Sequence, residues 1–182
     1  MEQLTDAQII ERVRKGEINL FSELVLRYQN KIFAYIYKIV NHKEEAEDIV
    51  QETFIKVYKN LNSFDADKKF SSWLYRISHN ETINYLKKNK KVSVLYYEGN
   101  DYLLNLLKTE KNLIKELINK EDDQHLKSAL EKLPIKYKEV IILKYLEDKS
   151  YEEIAQILHK PIATVGTLIN RAKIQLKKLL NT

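Results

Sequence analysis

The chain has no cysteine, only two prolines and only three glycines among its 182 residues. Without cysteine it can form no disulfide, no thiolate zinc site and no thiol nucleophile, which fits a reducing compartment. The scarcity of proline and glycine leaves few helix breakers, so the composition favours helices. Hydrophobic residues make up 44% of the chain, enough for one medium domain or two small ones.

The sequence also lacks a long apolar run. None approaches the roughly 20 residues that a helix needs to cross a bilayer. The first residues, MEQLTDAQII, contain no basic segment followed by an apolar block, so we expect no secretory signal here. These features predict a cytoplasmic protein.

Charge is unevenly distributed, although its net value is only +5. Residues 68–91 hold seven cations and one acid, Glu81, and residues 159–182 hold five cations and no acid. Residues 44–52 hold five acids and no base. The two basic segments predict two surfaces that contact an anionic partner. The acidic segment predicts a third surface that binds a different partner. The alternative is that these are helix faces that meet only solvent.

Apolar residues recur at helical spacing along most of the chain, and no alternation is long enough to predict a sheet. Long amphipathic helices are predicted over residues 21–40 and 46–61. The segment NSFDADKKF is predicted as a loop, because Asn, Ser and Asp offer hydrogen bonds that compete with a helix. Ser71 or Ser72 is predicted to cap the next helix, which carries Trp73.

The helical pattern weakens after residue 91 and returns near residue 123. Residues 92–122 are therefore predicted as a linker, with room for one helix over residues 103–118. The sequence thus predicts an all-α protein made of two small helical domains, residues 1–91 and 123–182.

The segment SYEEIAQILHKPIATVGTLINRAKIQLKKLL predicts a pair of helices joined by a short turn. Ser150 and Glu153 have capping-box spacing, and Pro161 suits the first turn of the second helix. That helix has a polar and basic outer face without acids, which is typical of a helix-turn-helix whose second helix enters a major groove. Asn170 and Arg171 can read base edges there. The outer face comprises Thr164, Gly166, Thr167, Asn170, Arg171 and Lys173. The residues predicted to face inward are Val165, Leu168, Ile169, Ala172, Leu176 and Leu179. The alternative is an ordinary helical hairpin with a basic surface.

Four segments occur in a distinctive order: AEDIVQETFIKVY, FSSWLYRISHNETINYLKK, LPIKYKEVIILKYLEDKSYEEIAQIL and PIATVGTLINRAK. Together they resemble the extracytoplasmic-function (ECF) group of bacterial RNA polymerase sigma factors, over nearly all of the chain except the linker. The resemblance implies that residues 1–91 are sigma region 2, which binds core RNA polymerase and recognises and melts the minus-ten promoter element. It implies that residues 123–182 are sigma region 4, which reads the minus-thirty-five element.

The same resemblance implies a factor without catalysis, cofactor, metal or small-molecule substrate. Its partners would be core RNA polymerase, promoter DNA and an anti-sigma factor, which is often membrane-bound. Both domains act at a fixed separation in this family, so each can bind weakly while the assembly binds well.

An acidic helix turn is the predicted polymerase contact. Asp48, Gln51 and Glu52 lie at i, i+3 and i+4 on one exposed face, and the clamp-binding motif of the family falls on these positions. They lie opposite the apolar stripe of Ile49, Phe54 and Val57, and together with Phe54 they form the predicted core-polymerase site. The alternative is an acidic turn that meets only solvent.

The aromatic and basic segment from residue 70 to residue 91 suits strand opening. Opening replaces stacking in the duplex by stacking or capture in the protein, worth about 1 to 3 kcal/mol per base, and it requires cations along the separated backbone. The loop NSFDADKKF is predicted to capture a base, and Trp73 has a second interpretation as a core residue. The predicted minus-ten contacts are Asn62, Ser63, Phe64, Phe70, Trp73, Arg76, Asn80, Asn84, Lys87 and Lys88.

The second helix of the C-terminal pair departs from the family pattern. Members often carry basic residues in a TVKSR-like run where this chain has Gly166 and Leu168. The change removes two potential contacts to phosphate or guanine, each worth about 1 to 3 kcal/mol in discrimination when bidentate. We therefore expect minus-thirty-five binding to depend on phosphates, backbone N–H groups at the helix start and DNA shape.

Three other functions fit parts of the sequence. A stand-alone DNA-binding regulator would use the helix-turn-helix alone and leaves the acidic and aromatic segments unexplained. A helical hydrolase would use Asp48 and Glu52 as paired carboxylates, but no histidine or metal-ligand partner at useful spacing and no glycine-rich phosphate loop accompanies them. A helical scaffold is the third.

Overall fold

The computed structural model describes residues 4–89 and 124–181. All regular secondary structure in these ranges is helical, and the helices form an N-terminal unit and a C-terminal unit. The prediction of an all-α protein with two small helical domains is therefore confirmed. The predicted linker, with its helix over residues 103–118, lies outside the described residues.

Four α-helices build the N-terminal unit. They are α1 (Asp6–Arg14), α2 (Phe21–Val40), α3 (Lys43–Asn60) and α4 (Phe70–Lys88). Helix α2 ends at Val40, as its apolar pattern predicted, and Asn41 after it adopts a left-handed conformation, at φ 54°. The mutual packing of α2, α3 and α4 forms the core of this unit.

Helix α1 was not predicted from the sequence. Thr5 and Gln8 form a capping box at its start, and Ile9, Ile10 and Val13 are buried. Its first residue, Asp6, accepts hydrogen bonds from two side chains of α2. Arg27 Nη1 lies 2.9 Å from Asp6 Oδ1, and the Tyr28 hydroxyl donates to the other carboxylate oxygen. Burial and this hydrogen bond raise the pKa of Tyr28 above its usual range.

The predicted cap of α4 is wrong. The helix begins at Phe70, so Ser71 and Ser72 lie inside its first turn. Phe70 is only 4% exposed, and its ring packs 5.6 Å from that of Tyr28. Burial of this aromatic side chain therefore sets the start of the helix. The Ser72 hydroxyl is buried and has no hydrogen-bond partner among the described residues.

The C-terminal unit consists of α5 (Gln124–Lys132), α6 (Ile135–Ile141), α7 (Tyr151–Leu158) and α8 (Ile162–Leu180). A π-helical turn, Ile142–Leu146, continues α6. Helices α5 and α6 both pack on α8. Among the described helices of both units, none combines the length and apolar character required to cross a bilayer.

Helices α7 and α8 form the predicted helix-turn-helix. The capping box is present, since Glu153 N lies 3.1 Å from Ser150 Oγ and Ser150 N lies 2.8 Å from Glu153 Oε2. Pro161 precedes α8 and accepts its first hydrogen bond through the backbone carbonyl, 3.1 Å from Val165 N. It was expected within the first turn, so the helix starts slightly later than predicted.

The inner face of α8 is narrower than predicted. Four residues, Val165, Ile169, Ala172 and Leu176, are buried. Leu168 and Leu179 were also expected to face inward, but both are half-exposed. A single helix packed mainly on α5 and α6 can bury only one stripe of its surface, and these two leucines lie at the edges of that stripe.

Candidate polymerase and nucleic-acid interfaces

The acidic turn of α3 lies on the surface. Asp48, Gln51 and Glu52 are exposed, while Ile49 and Val57 on the other side of the helix are buried. Burial of the apolar stripe fixes the rotation of the helix, and this rotation directs the three polar side chains outward together.

Phe54 does not join them. It is only 7% exposed and packs in the core, so its ring is not available at the surface. Two apolar side chains that sequence reasoning missed continue the acidic face instead. Ile55 and Tyr58 are 46% and 42% exposed, at i+4 and i+7 from Gln51. We call the set Asp48, Gln51, Glu52, Ile55 and Tyr58 the α3 face. A helical projection centred on Gln51 would have revealed both added residues.

A partly buried ion pair joins α3 to α4. Lys56 Nζ lies 2.6 Å from Glu81 Oε2, and the Glu81 side chain is only 12% exposed. Lys56 also lies 3.9 Å from Glu52, a member of the α3 face. The single acid in the basic segment therefore has a structural role, since it anchors α4 to the helix that carries the acidic turn.

An open cleft of about 350 Å³ lies between α3 and α4. Asp48, Ile49 and Glu52 line it from α3, and Glu81, Asn84, Tyr85 and Lys88 line it from α4. Two predicted minus-ten residues thus border the same cleft as two predicted polymerase-binding residues. The predicted sites are neighbours within one unit.

The predicted cations and amides of α4 form one continuous surface. Arg76, Asn80, Asn84, Lys87 and Lys88 are all exposed, and the first four follow one another at steps of three or four residues. We call these five residues the α4 face.

Small polar residues line the buried side of α4. The hydroxyl of Ser78 donates to Leu74 O at 2.9 Å, and that of Thr82 donates to Ser78 O at 2.8 Å. Each hydroxyl is satisfied within the helix, and so neither carries an unpaired polar group into the core. This allows α4 to pack closely while its opposite side stays polar.

Three aromatic residues cluster at the start of α4. The Phe64 ring lies 4.9 Å from that of Trp73 and 5.7 Å from that of Phe70, measured between centroids. Phe64 and Phe70 are 5% and 4% exposed, so neither ring is available at the surface as a base contact. Trp73 packs against both rings and is only partly buried, so part of its side chain remains accessible.

The loop before α4 has its own internal contacts. Asn62 and Ser63 are exposed, as a base-capturing loop requires. Asp65 Oδ1 accepts a hydrogen bond from Asp67 N at 3.1 Å, and its other oxygen lies 3.3 Å from Lys68 Nζ. The backbone hydrogen bond and the lysine hold the pKa of Asp65 below its usual value.

An arginine from α1 also holds this loop. Arg14 donates to Leu61 O from Nη2 at 2.7 Å and from Nε at 3.1 Å, and it also donates to Phe64 O. Sequence reasoning missed Arg14, and no local pattern would have found it, because it contacts residues 47 to 50 positions away.

The outer face of α8 contains the predicted minus-thirty-five residues. Thr164 and Asn170 are exposed, and Gly166, Thr167, Arg171 and Lys173 are half-exposed. Lys173 Nζ lies 5.6 Å from the centroid of the Tyr145 ring, a cation–π contact that holds the lysine stem along the unit. A Cβ added at Gly166 would lie 3.7 Å from Tyr151 Cε1, which is ordinary van der Waals contact.

Within residues 4–89 and 124–181, no group of three or more histidine and carboxylate side chains lies close enough to hold a metal ion.

Two family models match the chain: sigma-70 region 2 over residues 24–92 and sigma-70 region 4 over residues 124–176. The ECF RNA polymerase sigma factor SigW of Bacillus subtilis is 37% identical over 176 residues, which cover 94% of each chain. The chain belongs to the ECF sigma factor family. As an ECF sigma factor it is a non-catalytic protein that directs transcription initiation, as the resemblance in its sequence implied.

A second ECF sigma factor and two solved structures are also similar to the chain. The sigma-E factor of Escherichia coli K12 is 37% identical over 180 residues, covering 94% of this chain and 92% of that protein. Among solved structures, the sigma factor RpoE of Bartonella quintana, in complex with the anti-sigma factor NepR, has a TM-score of 0.66 at 25% identity and covers 89% of this chain and 97% of its own. CnrH, in complex with the cytosolic domain of CnrY, has a TM-score of 0.70 at 24% identity and covers 97% of each chain, which shows a common fold.

Proposed function

We propose that this sigma factor binds core RNA polymerase through the α3 face, melts the minus-ten element with the α4 face and its preceding loop, and reads the minus-thirty-five element with α8. Residues 1–91 would act as region 2, residues 123–182 as region 4 and residues 92–122 as the tether between them. The observation that carries the proposal is the adjacency of an acidic face and a basic face on two helices that an ion pair joins.

The α3 face suits a protein partner. Its polar part offers two carboxylates and an amide, and its apolar part offers Ile55 and Tyr58, both more than 40% exposed. Exposed aromatic and aliphatic groups beside charges are typical of protein interfaces, where burial supplies affinity and charge supplies orientation. A basic partner with apolar contacts would match this surface.

The α4 face suits a separated DNA strand. Three of its five residues are cations and two are amides, so it can follow phosphates and offer hydrogen bonds to exposed base edges. Trp73 lies one turn before Arg76, where its accessible side can stack on a base. Because Phe64 and Phe70 are buried, the proposal assigns them the support of Trp73 and gives the base contacts to the exposed residues.

The outer face of α8 suits duplex DNA. The last 24 residues contain five cations and no acid. With Gly166 and Leu168 at positions where family members often have cations, binding would depend on Arg171, Lys173, the first-turn N–H groups and DNA shape. Such a contact is weak alone and gains from the tether, which raises the effective concentration of each unit near its element.

We extend one further partner and a compartment to this chain. An anti-sigma factor is a proposed regulator, because the RpoE relative of similar fold is held by one. The proposed compartment is the cytoplasm, where the polymerase and the promoter are found.

The test is transcription in vitro with sigma-free core polymerase and a library of randomised promoters. We expect discrete start sites, each preceded by two preferred sequence elements at constant spacing. If the polymerase starts nowhere while the chain alone binds duplex DNA with sequence preference, the chain is a stand-alone regulator and the proposal is wrong.

A further inference from the structure

Arg14 makes polar contacts with the proposed melting surface across 47 to 50 residues of sequence. It is the last residue of α1 and lies before the segment that the region 2 model matches, residues 24–92. Its guanidinium donates to the carbonyl oxygens of Leu61, Asn62 and Phe64, with Nη2 at 2.7 Å from the first and 3.5 Å from the second. One side chain therefore contacts three carbonyl groups within four consecutive residues of the loop.

The loop needs such a partner. The 3₁₀ turn Leu61–Ser63 follows the end of α3, where carbonyl groups lose their helical donors and the helix dipole favours a cation. Within the turn, Phe64 N donates to Leu61 O at 3.2 Å and Ser63 Oγ donates to Asn60 O at 2.8 Å. A planar guanidinium can bridge several carbonyls at once, whereas an ammonium group acts as a single point of charge.

The contact also sets the surface beside Trp73. Arg14 holds the backbone of Phe64, and the ring of Phe64 packs 4.9 Å from that of Trp73. Between the two anchored residues, Leu61 and Phe64, the exposed side chains of Asn62 and Ser63 are held outward. The arginine thus fixes the loop residues Asn62 and Ser63 and the Phe64 ring that packs on Trp73. These groups border the proposed base-capturing position.

We propose that Arg14 is a positioning residue for base capture, which holds the loop in the shape that receives one unpaired minus-ten base. The inference rests on the proposed melting function and adds to it a residue of α1. Arg12 provides a matched contrast on the same helix. Its Nε lies 2.9 Å from Glu17 Oε1, a local and exposed contact that does not reach the loop.

The experiment compares the full chain with Arg14→Ala, Arg14→Lys and Arg12→Ala, each bound to core polymerase. The DNA is a pre-melted promoter chosen from the library, with an abasic site placed at each non-template minus-ten position in turn. In the wild-type complex we expect the loss of one captured base to weaken binding by roughly five- to a hundredfold. In Arg14→Ala this penalty should shrink to less than about threefold at that position only, and Arg12→Ala should keep the wild-type pattern.

A purely structural role gives a different result. If Arg14→Ala weakens binding equally at every position, or changes nothing, the proposal is overturned. If Arg14→Ala does not fold, Arg14→Lys decides, since it keeps the charge but not the planar fork. A reduced penalty at the same position supports the proposal, and a full wild-type penalty overturns it. If the wild-type complex starts transcription nowhere, the proposed function itself fails, which is a separate outcome.

Discussion

The two units build their proposed DNA surfaces in different ways. In the N-terminal unit, polar contacts cross between helices: Arg14 holds the loop before α4, and Lys56 pairs with Glu81 at 2.6 Å. In the C-terminal unit, α8 rests on an apolar stripe, and Lys173 lies over a tyrosine ring at 5.6 Å. The contrast fits the proposed tasks, because capture of an unpaired base requires a preformed pocket, whereas a helix in a duplex groove requires only a well-placed outer face.

The largest expected effect is on polymerase binding by the N-terminal unit. Asp48→Ala with Glu52→Ala should weaken core affinity by about tenfold or more, because both carboxylates leave the α3 face. Helical circular dichroism should not change, since both side chains are exposed. Fluorescence anisotropy of a labelled chain titrated with core polymerase measures the affinity.

The matched control for this pair is Glu11→Ala with Glu23→Ala. It removes the same charge from α1 and α2, where both side chains are exposed and lie in ion pairs with Lys15 and Arg27. An equal loss of affinity in the two double variants would show that net charge matters and that the α3 face does not.

The next effect separates melting from polymerase binding. Lys87→Ala with Lys88→Ala should lower promoter opening, seen by permanganate reactivity, more than it lowers core affinity. The salt dependence of opening should fall by about one unit of log–log slope per lysine, because each neutralises a phosphate. Lys15→Ala with Lys31→Ala removes two exposed cations, one directly after α1 and one on α2. This variant should leave the slope unchanged. A parallel loss of opening and core binding would assign the two lysines to polymerase docking.

A smaller effect is expected at the ion pair between α3 and α4. Glu81→Gln should lower the free energy of unfolding of the N-terminal unit by about 1 kcal/mol, because Lys56 loses its charged partner at a largely buried position. Glu52→Gln should cost less, since Glu52 is 51% exposed and lies 3.9 Å from the same lysine. Urea denaturation of the full chain compares the two. An equal loss of unfolding free energy in the two variants would contradict the role of the Lys56–Glu81 pair in anchoring α4 to α3.

The smallest effect tests the C-terminal unit. Gly166→Ala should stabilise α8 by about 0.5 to 1 kcal/mol, since alanine has the higher helix propensity and the new methyl meets only ordinary contact at 3.7 Å. Slower amide hydrogen exchange along α8 would show it. Gly16→Ala is the contrasting variant, because Gly16 has φ +107°, which strains any other residue, and it should destabilise the N-terminal unit. Faster exchange in α8 of Gly166→Ala would mean that the glycine relieves a strain.

The sequence predicted the long helices because each buries one apolar stripe, and periodicity reports burial directly. The same periodicity placed Asp48, Arg76 and Asn84 on exposed faces. The capping box at Ser150 was recognisable because its two partners lie only three residues apart. Local chemistry and helical spacing therefore account for the part of the fold that was predicted.

The missed features depend on contacts between distant segments. Helix α1 is short, nine residues, and its apolar pattern covers little more than two turns. The start of α4 follows from burial of Phe70 against α2, which outweighs the capping preference of the two serines. Phe64 faces inward because its ring packs on those of Phe70 and Trp73, which no local pattern shows. Phe54 lies on the apolar stripe of α3, so the spacing agreed with its burial, and the resemblance alone had made it a polymerase contact.

Trp73 is the only tryptophan of the chain, and it lies where the buried aromatic cluster meets the surface. Its indole therefore provides a built-in optical signal at the proposed opening site, free of any attached dye. Stacking of a base on its accessible side would quench the emission, while binding of duplex DNA at α8 would leave it unchanged. Strand opening can thus be followed in real time in the unmodified protein, with the Arg14 variants reporting how the loop changes its rate.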